Sequence, residues 1–263
     1  MYFLLLAVFL MACNNETKRE PSIKKEEAVQ TEKVEASVYP EAITKVFNAH
    51  GGINNWKRMQ TLVFTIAKPN GNEKVTKHLK TRAELIEATN YVQGFNGDTL
   101  WVKEKEGKEY RGNPKFYKGL MFYFYGMPFV LGDEGISYTT TEPLVFEGTT
   151  YPGILISYET GVGESSNDQY KIFYDAETGQ MEWLAYTVTF GKTEANPDFH
   201  FIRYNNWQTV SGLVLPKSID WYNYKDNLPT EKRNTVEFTN VMLSENAPEE
   251  MQFSMPEGAK HIE

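Results

Sequence analysis

The chain has 263 residues, 14 % of them aromatic, and a formal net charge of −8. This acidity, with no basic stripe along the chain, argues against a protein that binds nucleic acid. Cys13 is the only cysteine, so no internal disulfide can form and the hydrophobic core must hold the fold together.

The first segment, from Tyr2 to Ala12, is almost wholly apolar and stops at Cys13. Its length suits the hydrophobic core of a signal peptide and falls well short of the roughly 20 residues that span a membrane as a helix. The tetrad "LMAC" resembles the lipobox of bacterial lipoproteins, in which cleavage leaves a lipidated cysteine at the N-terminus. We therefore expect a signal peptide at residues 1–12 and lipidation of Cys13. The alternative is an ordinary secretory signal or a buried N-terminal strand.

The segment that follows Cys13 mixes both charge signs, contains no aromatic residue and shows no durable apolar periodicity up to about residue 37. Its composition predicts a flexible tether of about 24 residues with a root-mean-square reach of roughly 25–30 Å. A solvated helix through its Lys- and Glu-rich part is the alternative. The lipidated cysteine and the tether would occupy residues 13–37, and residues 38–263 would form one large β-rich domain.

Two short helices are predicted before the sheet. In "PEAITKVFNAHGG", Pro40 and Glu41 suit a first helical turn, apolar residues recur at helical spacing, and two glycines end the helix. We interpret His50 as a residue of the last turn, favoured there by the helix dipole and by carbonyl capping. A second turn, "INNWKRM", is expected to carry Trp56 towards the core.

From Thr61 onward the apolar period changes to two, which predicts β-strands. About eleven are expected, at residues 61–67, 73–81, 83–89, 98–105, 136–141, 144–158 with a break at Pro152-Gly153, 170–175, 181–190, 199–209, 213–223 and 235–243. Turn signals such as "FNGD", "DAETGQ" and "VSG" join them. Because helices between successive strands are missing, the pattern favours an antiparallel meander over a parallel α/β sheet.

One strongly apolar segment, residues 113–135, interrupts the strand pattern. It contains Gly119, Gly126 and Pro128, which make a long unbroken strand implausible, so one or two short helices are predicted. This segment would lie against the sheet. It could be a core helix that covers one open face, or a lid that contacts a ligand.

Several predicted strands are apolar on both faces, unlike a half-exposed antiparallel sheet, which is polar on one side. The segment "QMEWLAYTVTF" would place two apolar sets on opposite faces: Met181, Trp183 and Ala185 on one, and Leu184, Tyr186, Val188 and Phe190 on the other. Both faces of the sheet therefore need cover, from helices or from a ligand.

The chain lacks the residue spacings that common enzyme classes require. It has no G-x-S-x-G, H-E-x-x-H, P-loop or dinucleotide-binding glycine pattern, and its four histidines are widely scattered. Ser165, Ser166 and Asp168 lie in a polar loop where turn formation is the default interpretation. We expect no enzyme activity, no cofactor and no metal. An enzyme whose site cannot be recognised from one sequence is the least favoured alternative.

Four stretches of the chain carry a family resemblance: "AHGGINNWKRMQTLVFTI", "GFNGDTLWVKE", "KIFYDAETGQMEWLAYTV" and "FIRYNNWQTVSGLVLPKSIDWY". Their order resembles the lipoprotein-carrier superfamily typified by LolA and LolB, over about residues 38–256, and is most similar to a related group of Bacteroidota lipoproteins. The resemblance implies a mainly β fold, an unclosed antiparallel half-barrel of about eleven strands. A few helices would plug its concave face, and a hydrophobic cavity would accept acyl chains.

The leading hypothesis is an envelope lipoprotein, anchored by its lipid to the outer membrane and facing the periplasm, that binds a lipid or another amphiphile and could act as a carrier. The alternative is a noncatalytic protein- or glycan-interaction module with a filled core. The sequence identifies no protein partner. Ten residues are predicted to contribute to the cavity or its lid: Phe64, Trp101, Leu120, Phe122, Phe124, Met127, Phe129, Trp183, Tyr186 and Trp207.

Overall fold

The structure, a computed structural model, describes residues 38–158, 168–189 and 198–263. The predicted signal peptide, Cys13 and the tether lie outside these residues, as do Ser165, Ser166 and Phe190. Within the described ranges, no helix has the length and apolarity that crossing a membrane requires.

Four short α-helices are found in the described part of the chain. Helices α1 (Glu41–Ala49) and α2 (Ile53–Arg58) precede the sheet, as predicted. Helices α3 (Pro114–Tyr117) and α4 (Leu120–Tyr125) lie in the apolar segment, and a 3₁₀ turn at Phe129–Gly132 follows them. A further 3₁₀ turn spans Glu250–Phe253. The predicted helical character of the apolar segment is confirmed.

Local chemistry explains why α3 and α4 are short and separate. Pro114 occupies the first turn of α3, where its missing N–H is not needed, and the side chain of Asn113 caps the helix by accepting from the Phe116 N–H at 3.2 Å. Gly119 then adopts a φ of 73°, a left-handed conformation that glycine takes without strain, and α4 begins at the next residue.

Within the described residues, thirteen strands form one antiparallel sheet. In chain order they are β1 (Thr61–Ile66), β2 (Glu73–His78), β3 (Glu84–Glu87), β4 (Tyr91–Phe95), β5 (Leu100–Glu104), β6 (Ile136–Phe146), β7 (Thr149–Tyr158), β8 (Tyr170–Tyr174), β9 (Met181–Tyr186), β10 (His200–Val210), β11 (Leu213–Lys225), β12 (Leu228–Ser244) and β13 (Lys260–His261). Their order in the sheet is β13-β5-β4-β3-β2-β1-β12-β11-β10-β9-β8-β7-β6. The sheet is not closed into a barrel, so the predicted unclosed half-barrel is confirmed.

The strands differ from the prediction at four places. Strands β4 and β13 were not predicted, because Gly94 interrupts the apolar pattern of β4 and β13 has only two residues. The predicted strand at 144–158 is divided between β6 and β7, because Glu147 and Gly148 have φ values of 49° and 80° and form a tight turn. The break predicted at Pro152-Gly153 is wrong, because both residues lie within β7. Strand β12 begins earlier than predicted, since Asp226-Asn227 form a turn of the same kind.

The main hydrophobic core lies between the helices and one face of the sheet, called here the inner face. The apolar segment fills much of it: Phe122, Tyr125, Phe129 and Leu131 are fully buried. The ring of Tyr125 lies 4.6 Å from that of Phe64 on β1, a stacked contact between the segment and the sheet. The inner face is therefore occupied largely by the protein's own side chains.

The opposite, outer face carries a second and smaller core, built around Trp183 on β9. The tip of the β6–β7 hairpin covers this core, with the ring of Phe146 4.8 Å from that of Trp183 and 5.7 Å from that of Tyr222. Leu184, next along β9, belongs to the main core, so both faces of this strand are buried.

The prediction that Met181 and Trp183 share one face of the sheet is wrong. Met181 packs in the main core with Leu184, whereas Trp183 lies on the outer face. The β8–β9 register shifts between the Phe173–Trp183 and Tyr174–Met181 pairs. A bulge of this kind places one extra residue in a strand and reverses the side-chain direction beyond it.

Candidate ligand-binding groove

A partly enclosed groove of about 240 Å³ lies between the α3–α4 segment and the ends of several strands. Most of its lining is apolar or aromatic: Phe116, Leu120, Met121, Tyr123, Phe124, Met127, Tyr158, Tyr170, Tyr186, Val188 and Trp221. Lys115, Lys118, Asp168 and Thr187 supply its polar groups. This composition is typical of sites that bind apolar ligands and orient them by a few polar contacts.

Three strand ends supply one wall of the groove. Tyr158 is the last residue of β7, Tyr170 the first of β8 and Tyr186 the last of β9. Tyr170 is the direct cross-strand partner of Tyr186, and the rings of Tyr158 and Tyr170 are 5.7 Å apart. The antiparallel register therefore gathers three tyrosines at one end of the sheet.

The helical side of the groove meets this wall at Phe124. The Phe124 ring lies 5.1 Å from that of Tyr186 and 5.8 Å from that of Trp221 on β11. The indole N–H of Trp221 donates to the Tyr186 hydroxyl at 3.3 Å. Helix α4 and the strand wall are therefore in direct contact, and the groove opens beside this contact.

The tyrosine wall is electrically neutral at physiological pH. Burial raises the pKa of Tyr158, Tyr170 and Tyr186 above the ordinary value of the phenol, because the charged phenolate loses its hydration. These side chains therefore present ring surface and neutral hydroxyls. They suit contact with an apolar chain better than with a charged group.

Glu73 of β2 anchors α3 to the sheet. Its side chain is buried and accepts a hydrogen bond from the Tyr117 hydroxyl on α3. Lys68 neutralises it, with Nζ 2.6 Å from Glu73 Oε2, and the Tyr91 hydroxyl donates to the same oxygen at 3.2 Å. Charge-assisted hydrogen bonds of this kind are about twice as strong as neutral ones.

Glu84 of β3 makes a second anchor beside the first. Its Oε1 accepts from the backbone N–H of Gly119 at 2.9 Å, at the start of α4. Its Oε2 pairs with Lys77 Nζ at 3.2 Å, and both side chains are only 3 % exposed. The two glutamates hold the N-terminal half of the α3–α4 segment in place, so one side of the groove has a defined position.

Four of the ten residues predicted for the cavity line this groove: Leu120, Phe124, Met127 and Tyr186. The other six lie elsewhere: Phe64, Trp101, Phe122, Phe129, Trp183 and Trp207. The alternation of apolar residues along the strands predicts which side chains are buried. It does not show whether a buried side chain packs against its neighbours or borders an open space.

Three of the six sit in the main core. Phe64 stacks on Tyr125, as described above. Phe129 stacks on Trp56 with ring centres 5.1 Å apart, and Phe122 lies beneath the ammonium group of Lys77, at 4.9 Å. These rings fill the inner face rather than lining the groove.

The remaining three residues, Trp101, Trp183 and Trp207, make structural contacts outside the groove. Trp101 lies flat against Gly94, its partner across β4–β5, and its indole N–H donates to the Phe253 carbonyl at 2.9 Å. Trp183 is the centre of the outer core. The Trp207 ring lies 4.4 Å from that of His50.

Sequence reasoning missed Tyr158, Tyr170, Met121 and Trp221, which also line the groove. A tyrosine at the end of each of three neighbouring strands is a recognisable signal once the pairing of the strands is known. Met121 precedes Phe122 in α4 and lies half-buried, whereas Phe122 is fully buried. The rotation of this short helix decides which of the two reaches the groove.

His50 has a structural role that differs from the interpretation as a helix-capping cation. It is fully buried, and burial lowers its pKa to about 4, so the ring is neutral. Its Nε2 accepts from the backbone N–H of Met181 at 3.0 Å, while Nδ1 lies 3.0 Å from the Val214 carbonyl oxygen. In the described ranges, no group of three or more His, Cys, Asp or Glu side chains is placed to hold a metal ion.

Comparisons with known proteins give similarities of fold alone. No family model matches the chain, and no curated protein matches it. A LolA superfamily protein from Nitrosomonas europaea is similar, with a TM-score of 0.47 and 9 % identity over 75 % of this chain and 90 % of that one. A DUF1329 family protein from Desulfovibrio piger has a TM-score of 0.44 and 9 % identity over 77 % of this chain and 93 % of that one.

An outer membrane lipoprotein-sorting protein domain from Vibrio parahaemolyticus has a TM-score of 0.41 and 8 % identity, over 76 % of this chain and 93 % of that one. One of these structures is named as a member of the LolA superfamily, which the sequence resembles. The grouping with Bacteroidota lipoproteins stays a prediction. With TM-scores below 0.5, these similarities carry no functional argument for this chain.

Proposed function

We propose that this chain is a binding protein, not an enzyme, and that its groove holds the apolar part of a lipid or another amphiphile. The observation that carries the proposal is an open volume of about 240 Å³ walled by tyrosines, Phe124, Met121 and Met127 on a fold whose inner face is otherwise well packed. An apolar cavity of about 150 Å³ accepts benzene, and drug-sized ligands occupy about 300–1,000 Å³. The groove is therefore sized for a single apolar chain or ring system.

The expected affinity follows from the surface that such a chain would bury. Burying about eight methylene groups at about 0.8 kcal/mol each would stabilise the complex by about 6 kcal/mol, which corresponds to a dissociation constant of about 40 μM. The entropy lost when a flexible chain is ordered weakens this affinity, and contacts of the head group strengthen it. Reversible binding in the micromolar range is compatible with a carrier that must also release its cargo.

The filled-core alternative accounts for most of the inner face, where Phe64, Phe122 and Phe129 are fully buried. It does not account for the groove, whose residues Leu120, Met121 and Tyr186 are only partly buried although they are apolar or aromatic. Apolar side chains that line open space gain contacts when a ligand fills it. This difference favours the binding function.

We also propose that the chain is attached to the cell envelope, at the outer membrane and facing the periplasm. The support comes from the sequence, in which the tetrad ending at Cys13 is followed by a charged tether without aromatic residues. Replacing the cysteine, as Cys13→Ser, is expected to move the protein from the membrane fraction to the soluble fraction and to abolish incorporation of labelled palmitate. A Cys13→Ser variant that still fractionates with the membrane would contradict the anchor.

Binding can be tested with the purified protein by native mass spectrometry, lipid extraction and uptake of a fluorescent fatty acid. Met121→Trp replaces a flexible thioether in the groove lining with a larger indole ring. Because the indole would occupy part of the groove, uptake of the fatty acid is expected to weaken at least tenfold. Met242→Trp is the matched control, because Met242 is 51 % exposed on β12 and does not line the groove. It should bind as the wild type does.

Two outcomes would overturn the binding proposal: no retained or acquired amphiphile in the wild-type protein, or equal uptake by both tryptophan variants and the wild type. Recovery of the fatty acid chemically unchanged after prolonged incubation is the result expected for a protein that is not an enzyme. Its hydrolysis or modification would contradict that part of the proposal.

A further inference from the structure

We infer that the groove recognises a neutral carbonyl oxygen, as in an ester or a ketone, through the phenol hydroxyls of Tyr158 and Tyr170. The inference rests on the proposed function, because the apolar part of the same ligand must occupy the groove. It deepens that function by naming the polar chemistry of the ligand, an uncharged hydrogen-bond acceptor joined to an apolar chain or ring system.

The hydroxyls of the tyrosine wall are largely without partners in the protein. Within the described ranges, Tyr158 and Tyr170 make no hydrogen bond through their hydroxyls, and Tyr186 makes one, with the Trp221 indole N–H. The hydroxyl of Tyr204, in the main core, donates instead to the Phe124 carbonyl at 2.8 Å. Polar groups removed from bulk water are normally paired, so the two unpaired hydroxyls of the wall indicate acceptors that come from outside the chain.

Both unpaired hydroxyls are within reach of a ligand. The hydroxyl of Tyr125 is also unpaired, but protein atoms enclose it completely. The hydroxyls of Tyr158 and Tyr170 are not enclosed in this way, and both residues line the groove. A ligand in the groove therefore meets two phenol O–H donors that no protein group uses.

The strand register holds these donors close together. The rings of Tyr158 and Tyr170 lie 5.7 Å apart in an edge-to-face arrangement, and Tyr170 is the cross-strand partner of Tyr186. The Tyr186 oxygen accepts from Trp221, so its own proton stays available to a ligand, and accepting a hydrogen bond strengthens a hydroxyl as a donor. A carbonyl oxygen has two lone pairs and can accept from more than one donor of this wall.

The environment of the hydroxyls favours a neutral acceptor over an anionic one. Burial raises the pKa of Tyr158 and Tyr170, so both phenols stay protonated and donate. The charge of Asp168, which also lines the groove, raises the pKa of Tyr170 further and would repel an anion placed against that hydroxyl. A neutral carbonyl meets no such repulsion, and its desolvation costs much less than that of a charged group.

The test uses two probes that share a ring system and differ in one group. The first, 2-acetylnaphthalene, carries a carbonyl where the second, 2-ethylnaphthalene, carries a methylene group. Their dissociation constants are measured by displacement of a fluorescent fatty acid from the wild type and from the double variant Tyr158→Phe with Tyr170→Phe. The double variant keeps both rings, and it is expected to bind the ketone about two- to twelvefold more weakly and the hydrocarbon as the wild type does.

Tyr224→Phe is the matched control. Tyr224 is a partly buried tyrosine of β11 whose ring lies 4.9 Å from that of His200, and it does not line the groove. Its hydroxyl also makes no hydrogen bond within the described residues, so both substitutions remove an unpaired hydroxyl and should leave urea unfolding unchanged. Tyr224→Phe should bind both probes with wild-type affinity.

Carbon-13 NMR of the ketone, labelled at its carbonyl, gives a readout that a merely structural role of the tyrosines would not move. Hydrogen bonding shifts the carbonyl resonance downfield. The resonance of the ketone bound to the wild type is expected downfield of its position in hexane, and the double variant should reduce this shift while Tyr224→Phe keeps it. An unchanged resonance in the double variant would overturn the inference.

The results distinguish failure of this inference from failure of the proposed function. If the double variant binds the ketone as tightly as the wild type, or loses both probes equally, carbonyl recognition is overturned and binding in the groove stands. Wild-type protein that binds the fatty acid but not 2-acetylnaphthalene would have the same meaning. Wild-type protein that binds neither probe nor the fatty acid would overturn the proposed function and, with it, the inference.

Discussion

His50 and Val214 are joined by two hydrogen bonds. The backbone N–H of Val214 donates to the His50 carbonyl at 2.9 Å, and the His50 Nδ1–H donates to the Val214 carbonyl at 3.0 Å. Beside them, a side chain on Gly51 would place its Cβ 2.2 Å from the Gly212 carbonyl oxygen, so this position requires glycine. The "AHGG" and "SGLVLP" stretches, which carry part of the family resemblance, thus form one contact between α1 and the β10–β11 hairpin.

Because His50 is buried and neutral, the free energy of unfolding is expected to fall as the pH drops below 6.5. In the unfolded chain the imidazole takes up a proton near pH 6.5, whereas in the folded chain it does so only near pH 4. Stability should therefore be lost between pH 6.5 and pH 4, by about 3 kcal/mol in total, and this group should contribute no pH dependence above that window.

Urea unfolding of the wild type and His50→Gln at several pH values measures this effect, because the other titrating groups are common to both proteins. The difference in unfolding free energy between them should narrow as the pH falls from 6.5 to 4. A difference that is constant with pH would show that His50 is not the group responsible.

The buried pair Lys77–Glu84 is expected to be sensitive to removal of one partner. Lys77→Met leaves the Glu84 carboxylate buried without its counter-ion and should lower the free energy of unfolding by about 3–5 kcal/mol. Adding Glu84→Gln removes that charge and keeps a carbonyl oxygen for the Gly119 N–H, so the double variant should recover much of the loss.

Strands β2 and β3 supply a matched control for this experiment. Lys74 and Glu87 form a cross-strand pair on the same two strands at 3.0 Å, but their side chains are 52 % and 42 % exposed. Lys74→Met should therefore change stability by less than about 1 kcal/mol, since exposed pairs contribute little. Similar losses for Lys74→Met and Lys77→Met in denaturant unfolding would contradict the role assigned to burial.

Trp101 and Gly94 should show a strong energetic coupling. A methyl group at Gly94 would lie 2.1 Å from the Trp101 ring, so Gly94→Ala is expected to destabilise the fold by about 1–3 kcal/mol through overpacking. In a Trp101→Leu background the clash is absent, and the same substitution should be nearly neutral. A double-mutant cycle measured by urea unfolding gives the coupling. Additive effects would mean that the ring is not what excludes a side chain at Gly94.

The hydrogen bond from Tyr117 to Glu73 should control the local stability of α3. Tyr117→Phe removes the donor from a buried carboxylate and is expected to lower the local opening free energy by about 1–3 kcal/mol. Hydrogen exchange of the α3 and α4 amides should then accelerate, while exchange in β11 is unchanged.

Tyr110→Phe is the control for this substitution, because the Tyr110 hydroxyl donates a long hydrogen bond, at 3.4 Å, to the neutral side chain of Gln93 in the same region. Equal acceleration in the Tyr110 and Tyr117 variants would argue against a specific anchor at Glu73. Unchanged exchange in both would place the support of α3 in its apolar contacts.

Much of the fold could be predicted from the sequence because its signals are local. The period-two alternation from Thr61 onward indicated an antiparallel sheet, and Gly119, Gly126 and Pro128 indicated short helices in place of a strand. The boundaries failed where a signal was short: the Glu147-Gly148 turn was missed, and Gly94 concealed β4.

Local patterns in the sequence are enough to predict the fold class, the helical segment and the many aromatic residues that both faces of the sheet must bury. The position of the open groove follows instead from contacts between residues that are distant in the chain. Tyr170 meets Tyr186 through strand register, and Trp221 reaches Tyr186 from 35 residues away. Phe64 and Trp183, equally apolar in sequence, are enclosed by other residues of the chain. Free volume depends on how distant residues pack against one another, and local periodicity carries no information about that packing.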